Sequence, residues 1–552
     1  MTNAKSQKVL ILGGVALGAG AAAKARRVDE KAEIIVIERG PYVSFANCGL
    51  PYYVGGVIKD RAKLLLHTPE TLRQRFNIDV RILQEAVSID RDQKIVTIRQ
   101  VQTGETYEES YDKLVLATGA KPIVPPLKGI DLPGIFVMRD VPDVDAITYW
   151  IETKQVKHAV AIGAGFIGLE VVENLVARGI KVTVVEKANQ IMPPFDQEMT
   201  KLAMDELTAM GVTVILGDGI TGFEGESQAS GVVLESQKVI PADLFIMGLG
   251  VRPDLTIAKA CGLKIGETGA LHVNQFLQTS DPDIYSGGDL ADIIHTVHGR
   301  QRWIPLAAAA NKQARIIGMN LFGANREFHG AQGTSIVKVG EIVMAITGLS
   351  EKAAKADGLS YYVSYNIAGH HAGYYPGAKD MVIKLIVEKV TGRLLGAEIA
   401  GKEGVDKRID VLATAIAASM TVSDLADLDL AYAPPFSSAK DPVILAGMAA
   451  ENILYGEVTA IATVDELGKE GNWRILDVRR PDETEHGILP GATMIPLDDL
   501  RHRIDELDKN TTWVVYCRSG QRSYIASRIL KGHGFEKVFN LSGGYYVQSM
   551  RG

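Results

Sequence analysis

The sequence predicts an α/β protein of several domains, and three observations predict it. The chain has 552 residues, more than a single hydrophobic core supports. Two short apolar runs each lead into a glycine-rich turn, a helix and a second apolar run ending in an acid, the pattern of a nucleotide-binding α/β unit. A third strand, loop and helix, this time built around a cysteine, occurs in the last hundred or so residues.

Composition narrows the classes. With 46% hydrophobic and 23% charged residues the chain reads as an ordinary globular protein. A formal net charge of -7 argues against nucleic acid as the main partner, so an anionic cofactor must be held by local devices such as helix N-termini and small basic clusters. No apolar run reaches the roughly 18 residues that span a bilayer, and residues 1–14 run into an apolar strand with no signal-peptide cleavage site. Three cysteines, Cys48, Cys261 and Cys517, make no disulfide framework and suit a reducing compartment. The expectation is a cytoplasmic protein with neither membrane nor nucleic acid as partner.

The first unit runs from Lys8–Leu12 into Gly13-Gly14-Val15-Ala16-Leu17-Gly18, an alanine-rich helix, and a strand from Glu33 to Ile37 that ends in Glu38. Such a turn lets backbone approach a pyrophosphate at the helix N-terminus, while the acid binds a ribose diol. Val15 replaces the second glycine of G-x-G-x-x-G, so this copy by itself is equally compatible with an ordinary βαβ turn. The second copy is regular: strand His158–Ile162, Gly163-Ala164-Gly165-Phe166-Ile167-Gly168, a helix, and strand Lys181–Val185 ending in Glu186. Glu186 favours NADH over NADPH by repelling a 2′-phosphate, although Lys187 beside it pulls the other way.

Two more segments complete the pattern: Lys113–Ala120, a strand ending in Thr118-Gly119, and Ser280–Leu290, which carries Gly-Gly-Asp289. Here the sequence resembles the flavoproteins with two dinucleotide-binding units, the family of glutathione reductase and NADH oxidase. The resemblance implies FAD on the first unit, with contacts at Gly13, Gly14, Gly18, Glu38, Arg39, Ser44, Asn47, Thr118, Gly119 and Asp289. It implies NADH on the second, at Gly163, Gly165, Gly168 and Glu186.

Cys48 lies in Ser44-Phe45-Ala46-Asn47-Cys48-Gly49-Leu50-Pro51-Tyr52-Tyr53. A lone cysteine is more often a small buried apolar residue than a nucleophile; beside a flavin and near a helix start, whose dipole is expected to lower the thiol pKa, it reads as redox-active. Tyr53 occupies the second position of the family's C-x-x-x-x-C, so Cys48 must cycle as a sulfenic acid or a mixed disulfide with an outside thiol. SFANCGLPYY resembles the coenzyme A-disulfide reductases, and the resemblance covers roughly residues 1–445. It implies a homodimer in which Tyr374 and Tyr432 of the partner subunit reach towards the cysteine, the alternative being that both only pack the interface. Ala16 stands where peroxidase and oxidase relatives carry a histidine, which argues against peroxide or oxygen as substrate. Lys24, Arg26 and Arg27 on the first helix, with Asn311 and Arg315, are candidate contacts for coenzyme A phosphates; clusters of this kind are more often solvated helix faces.

The C-terminal segment resembles the single-domain rhodaneses: a strand with Asp-Val-Arg, His486-Gly-Ile-Leu-Pro-Gly-Ala, a strand ending in Tyr516, then Cys517-Arg518-Ser519-Gly520-Gln521-Arg522 and a helix. Loop amides curling round a cysteine at a helix start stabilise a thiolate or bound anion. Arg518 and Arg522 are expected to attract an anionic sulfur donor. Cys261, in Lys-Ala-Cys-Gly-Leu-Lys, has no such surroundings and reads as structural.

The expected architecture is a FAD domain (about 1–120 and 250–325), an inserted NADH domain (about 121–249), an α+β dimerisation domain (about 326–450) and an α/β rhodanese domain (about 456–552). The expected function is NADH- and FAD-dependent reduction of coenzyme A disulfide, persulfide or polysulfide through Cys48, with Cys517 delivering sulfane sulfur. Oxidation of NADH by oxygen or peroxide through a sulfenic Cys48, and a sulfur-trafficking partner protein, are the alternatives.

Overall fold

A computed structural model describes residues 6–468, 473–485 and 487–551; His486 lies outside them. The chain falls into two compact units, one of residues up to Ile191 together with Gly211–Gly333, the other of Met192–Met210 together with the residues from Thr334 onward.

The first unit holds two parallel five-stranded sheets. One has the order Ile284–Ser286, Lys113–Leu116, Lys8–Leu12, Glu33–Glu38, Asp79–Ile82. After Lys8 its central strand is wholly apolar because both faces are covered. Val9 and Ile11 enter a core shared with the helices Ala16–Val28 and Ala307–Asn320, while Leu10 and Leu12 pack with Ile89, Val96 and Ile98. The other sheet has the order Thr213–Leu216, Lys181–Glu186, His158–Ile162, Leu244–Met247, Ile135–Val137. In both sheets the glycine turn leaves the C-terminal end of the central strand, where ligands of doubly wound folds bind.

The second unit contains an antiparallel sheet in the order Ser335–Val339, Ile342–Gly348, Leu394–Gly401, Asp380–Glu388, Tyr361–Gly369. Lys384 is fully buried in it, and its ammonium donates to Asp196 at 2.8 Å, Glu198 at 2.6 Å and Glu351 at 2.7 Å. These carboxylates come within a few ångströms of one another, and the ammonium holds the place a cation would take. The C-terminal sheet is parallel, in the order Thr459–Ile461, Val538–Leu541, Thr512–Tyr516, Trp473–Asp477, Thr493–Met494. Trp513, Val515 and Cys517 face one core of this domain, and Val514 and Tyr516 the other.

Among the described residues no helix is long and apolar enough to cross a membrane.

Candidate active site

The two glycine turns are built alike. Gly13 has φ of +106° and donates its N–H to Ile37 O at 2.8 Å, and a Cβ on Gly18 would lie 1.8 Å from Gly13 O. In the second turn Gly163 has φ of +102° and donates to Val185 O at 2.8 Å, and a Cβ on Gly168 would lie 2.0 Å from Gly163 O. Helices Ala16–Val28 and Phe166–Ala177 open on Val15 and Gly165 without a side-chain cap, which leaves N–H groups for an anionic ligand. Glu38 accepts the N–H of Gly14 at 2.8 Å and of Gly40 at 2.7 Å. Glu186 accepts those of Ala164 and Ala188, both at 2.8 Å. Two amides thus aim each carboxylate, and its remaining lone pairs suit ribose hydroxyls. Val15 leaves the first turn intact. Lys187 is engaged by Glu235 at 2.8 Å.

Around the first turn, Ser44 holds φ of +47° and donates its N–H to Gly14 O at 2.9 Å. Thr118 Oγ1 donates to Asp254 O at 3.1 Å, next to Gly119, whose α-carbon faces open space. Arg39 is largely exposed and lies 3.8 Å from Glu85. Asp289 sits in the short turn Gly288–Leu290, where burial pushes its carboxyl up and Arg139 opposes the shift. Arg139 and Gln313 have no motif to announce them, and sequence reasoning missed both. Arg139 Nη1 and Gln313 Nε2 are buried without a hydrogen-bond partner in the described residues, and Gln313 Oε1 accepts the N–H of Gly288 at 2.7 Å. Orphaned donors at this cost, beside an open helix N-terminus, fit a large anionic cofactor such as FAD.

Cys48 is exposed in the turn Asn47–Gly49, which runs straight into helix Leu50–Val54. The expected lowering of its pKa does not occur. Partial burial, then Glu170, then Asp289 push the thiol up, and a helix of five residues has too small a dipole to offset two nearby acids. Glu170 belongs to helix Phe166–Ala177 of the second nucleotide unit, and burial with Glu173 pushes it up to about 7. Its signal was an acid two residues beyond Gly168, on an apolar helix whose other acid, Glu173, lies one turn on. Cys261 is half-buried with its thiol on Ala258 O at 3.4 Å and packs against the core, as a structural residue does.

The first helix and helix Ala307–Asn320 pack closely, Gly20 on Ala314 and Gly318 on Lys24, which brings Lys24 and Arg27 onto a helix adjoining that of Asn311 and Arg315. Arg27 donates to Ala23 O at 3.0 Å and Asn311 to Ala307 O at 2.9 Å. Arg26 is a correction. It is buried and donates to the carbonyls of Phe76 at 2.8 Å, Asn77 at 2.8 Å and Glu30 at 2.6 Å, so it ties down the C-terminal end of helix Pro69–Phe76 and offers nothing to a ligand.

In the second unit Tyr374 and Tyr432, far apart in sequence, meet with hydroxyls 2.8 Å apart, and both are exposed. The buried Arg408 joins their loops, donating to His370 O at 2.7 Å, Ser437 Oγ at 3.3 Å and Asp441 at 2.9 Å.

Cys517 ends strand Thr512–Tyr516 and is buried, with helix Gln521–Gly532 following. Gly520 N–H donates to its sulfur at 3.1 Å, and Ser523 Oγ lies 3.6 Å away. The two loop arginines differ from expectation. Arg522 donates to both oxygens of Glu483 at 2.6 Å as well as reaching the Cys517 sulfur, and it holds Glu483 down at about 2. Arg518 pairs with Asp380 of the antiparallel sheet at 3.0 Å. On that sheet Tyr365 donates its N–H to Ser542 Oγ at 3.0 Å, and Arg551 donates to Tyr365 Oη at 2.8 Å.

Residues 7–314 match the model of the pyridine nucleotide-disulphide oxidoreductases, and residues 334–443 that of their dimerisation domain. The chain belongs to the pyridine nucleotide-disulphide oxidoreductase family. Residues 461–547 of this oxidoreductase match a rhodanese-like domain, and FAD with a pyridine nucleotide are the family's cofactors. It is 36% identical over 442 residues to the NAD(P)H sulfur oxidoreductase (CoA-dependent) of Pyrococcus furiosus, covering 80% of this chain and 98% of that protein. Among solved structures, reduced CoADR-RHD of Bacillus anthracis superimposes with a TM-score of 0.96 at 45% identity, over 99% of this chain and 98% of that one. The NAD-dependent persulfide reductase from A. fulgidus does so with 0.91 at 39% identity, over 98% and 99%.

Proposed function

We propose that this oxidoreductase is a cytoplasmic homodimer that uses NADH and FAD to reduce disulfides or persulfides of coenzyme A, or polysulfide, through Cys48, with Cys517 supplying sulfane sulfur. The observation that carries the reading is the setting of Cys48: a cysteine with Tyr53 in place of a second one, flanked by Glu170 from the second nucleotide unit and Asp289 from the first. The likeness to a CoA-dependent NAD(P)H sulfur oxidoreductase and to an NAD-dependent persulfide reductase supports it.

Attack by the Cys48 thiolate on a disulfide forms a Cys48 mixed disulfide and expels the other sulfur as a thiolate. Glu170, held at about 7, is matched to exchange a proton with thiols near neutral pH. The hydroxyl pair of Tyr374 and Tyr432, reaching over from the partner subunit, donates to the departing thiolate. Lys24, Arg27, Asn311 and Arg315 hold the substrate's phosphates. The first turn, with Glu38, Arg39, Ser44, Asn47, Thr118, Gly119 and Asp289, holds FAD, and Gly163, Gly165, Gly168 and Glu186 hold NADH. When bound, FAD reduced by NADH would supply the electron pair that splits the Cys48 mixed disulfide into the Cys48 thiolate and the second substrate thiolate. Cys517 accepts a sulfane sulfur and presents it as a persulfide.

The test is Cys48→Ser, assayed on coenzyme A disulfide, coenzyme A persulfide, polysulfide and peroxide. Reduction of all sulfur substrates is lost while the yellow flavin absorbance stays; retention of about a tenth of the wild-type rate by this variant would overturn the single-cysteine mechanism.

A further inference from the structure

The Cys517 loop places its charges against the donors that a rhodanese site with free arginines attracts. Both cations of residues 517–522 are already matched. Arg522 spends its fork on Glu483, two bonds of 2.6 Å, while Arg518 meets Asp380 at 3.0 Å with its guanidinium over the Tyr546 ring. Arg480, at the start of the turn that carries Glu483, pairs with Asp482 at 3.2 Å. At the sulfur itself the Gly520 amide, the Ser523 hydroxyl and the shared Arg522 stabilise negative charge, with the uncapped start of helix Gln521–Gly532 beside them. Coulomb energy scales with the charge of the incoming group. By matching the two arginines, Glu483 and Asp380 cancel the attraction that free guanidinium groups would offer, and the attraction lost is twice as large for a donor with two negative charges at its reacting end as for one with a single charge.

We propose that Glu483 and Asp380 are specificity-determining residues that turn the Cys517 site away from compact donors with two negative charges at the reacting end, such as thiosulfate, and towards organic persulfides. Asp380 lies on the antiparallel sheet, outside the rhodanese-like domain, so this site is completed by a second domain of the same chain. The inference rests on Cys517 being the sulfane-sulfur acceptor. In the step itself the Cys517 thiolate attacks the outer sulfur of R–S–S⁻. The donor S–S bond breaks, a Cys517–S–S⁻ bond forms, and R–S⁻ departs and takes a proton from water. Two electrons move within the displacement, and no outside oxidant or reductant is needed.

The experiment uses the full-length, flavin-loaded chain carrying Cys48→Ser, so that only Cys517 reports. Single-turnover addition of one sulfur to Cys517 is followed by intact mass spectrometry, with thiosulfate or mercaptoethanol persulfide, whose organic part is uncharged, as donor. The persulfide is expected to react at least about tenfold faster, and the ratio of thiosulfate to persulfide rates should rise about tenfold in Asp380→Asn/Glu483→Gln. Because Glu483→Gln disturbs the loop's own fork, Asp380→Asn alone provides a second measurement, with the ratio expected to rise about threefold. Thiosulfate as the faster donor in the parent chain, or an unchanged ratio in Asp380→Asn, overturns the proposal while leaving Cys517 an acceptor. Failure of Cys517 to take sulfur from either donor overturns the acceptor reading as well.

Discussion

Replacing Lys384 by methionine keeps the length of the side chain and removes the cation that Asp196, Glu198 and Glu351 share. The size of the effect follows from Glu198. Burial pushes its carboxyl up, yet Lys384 and Arg551 hold it down at about 2 against an ordinary 4.5. Each pKa unit is worth about 1.4 kcal/mol, so this one group contributes about 3 kcal/mol, with Lys384 the largest of the groups that lower it and Arg551 the next. That agrees with the about 3–5 kcal/mol lost when a buried ion pair is broken from one side. A depressed carboxylate gives stability that is complete above its unfolded pKa and lost as pH falls through its folded value. The deficit of Lys384→Met should therefore be full at pH 7 and below about half by pH 3. For a unit of this size it corresponds to a drop of about 6–12 °C in the melting of the second unit. Far-UV circular dichroism of the full chain measures it, with flavin absorbance as the control for the first unit. A variant melting within about 2 °C of wild type at pH 7, or a deficit that does not shrink in acid, would refute the reasoning.

Glu170→Gln removes an anion beside Cys48, so the thiol pKa should fall and the pH profile of iodoacetamide alkylation should move to lower pH; a profile that stays put means the acid does not sense the thiol. Gly168→Ala puts a methyl group into Gly163 O, where the gap is 2.0 Å. It should weaken NADH binding by more than about tenfold in calorimetry with FAD retained, and unaltered binding would count against the second turn as the nicotinamide cofactor's site. Tyr374→Phe should lower turnover on coenzyme A disulfide about tenfold with little change in the KM for NADH; an equal loss in KM alone would assign the tyrosine to packing.

Both nucleotide folds were legible in the sequence because steric necessity leaves a mark there. Gly18 and Gly168 each pack a helix onto a carbonyl at a distance no side chain permits, and the acids that follow, Glu38 and Glu186, sit at fixed spacings. Cys48 and Cys517 were legible because chemistry demands a cysteine within a local pattern. What escaped was set by partners distant in sequence. Lys384 meets Asp196 across 188 residues, and Arg26 meets Phe76 across 50. A basic residue near a helix end looks the same in sequence whether it faces solvent or caps a neighbouring helix. Glu483 escaped for the same reason: the charge of Arg522 was visible, and the acid that cancels it was not. The pKa of Cys48 was misjudged because a helix start is local, whereas Glu170 comes from another nucleotide unit.

The seating of the rhodanese-like domain on Tyr365 bears on how this chain is shortened. Relatives such as the Pyrococcus furiosus protein align with only 80% of it, which suggests a cut before Thr459. Such a cut takes away Ser542 and Arg551, the partners of the Tyr365 amide and hydroxyl, and leaves that buried ring facing water with Glu198 short of one cation. Asp380 would lose Arg518 at the same time. A shortened chain is thus a protein with a newly opened sheet face. A serviceable truncation would carry a compensating surface, with Tyr365 replaced by a polar strand-forming residue such as threonine, before its rates are set against those of the whole chain.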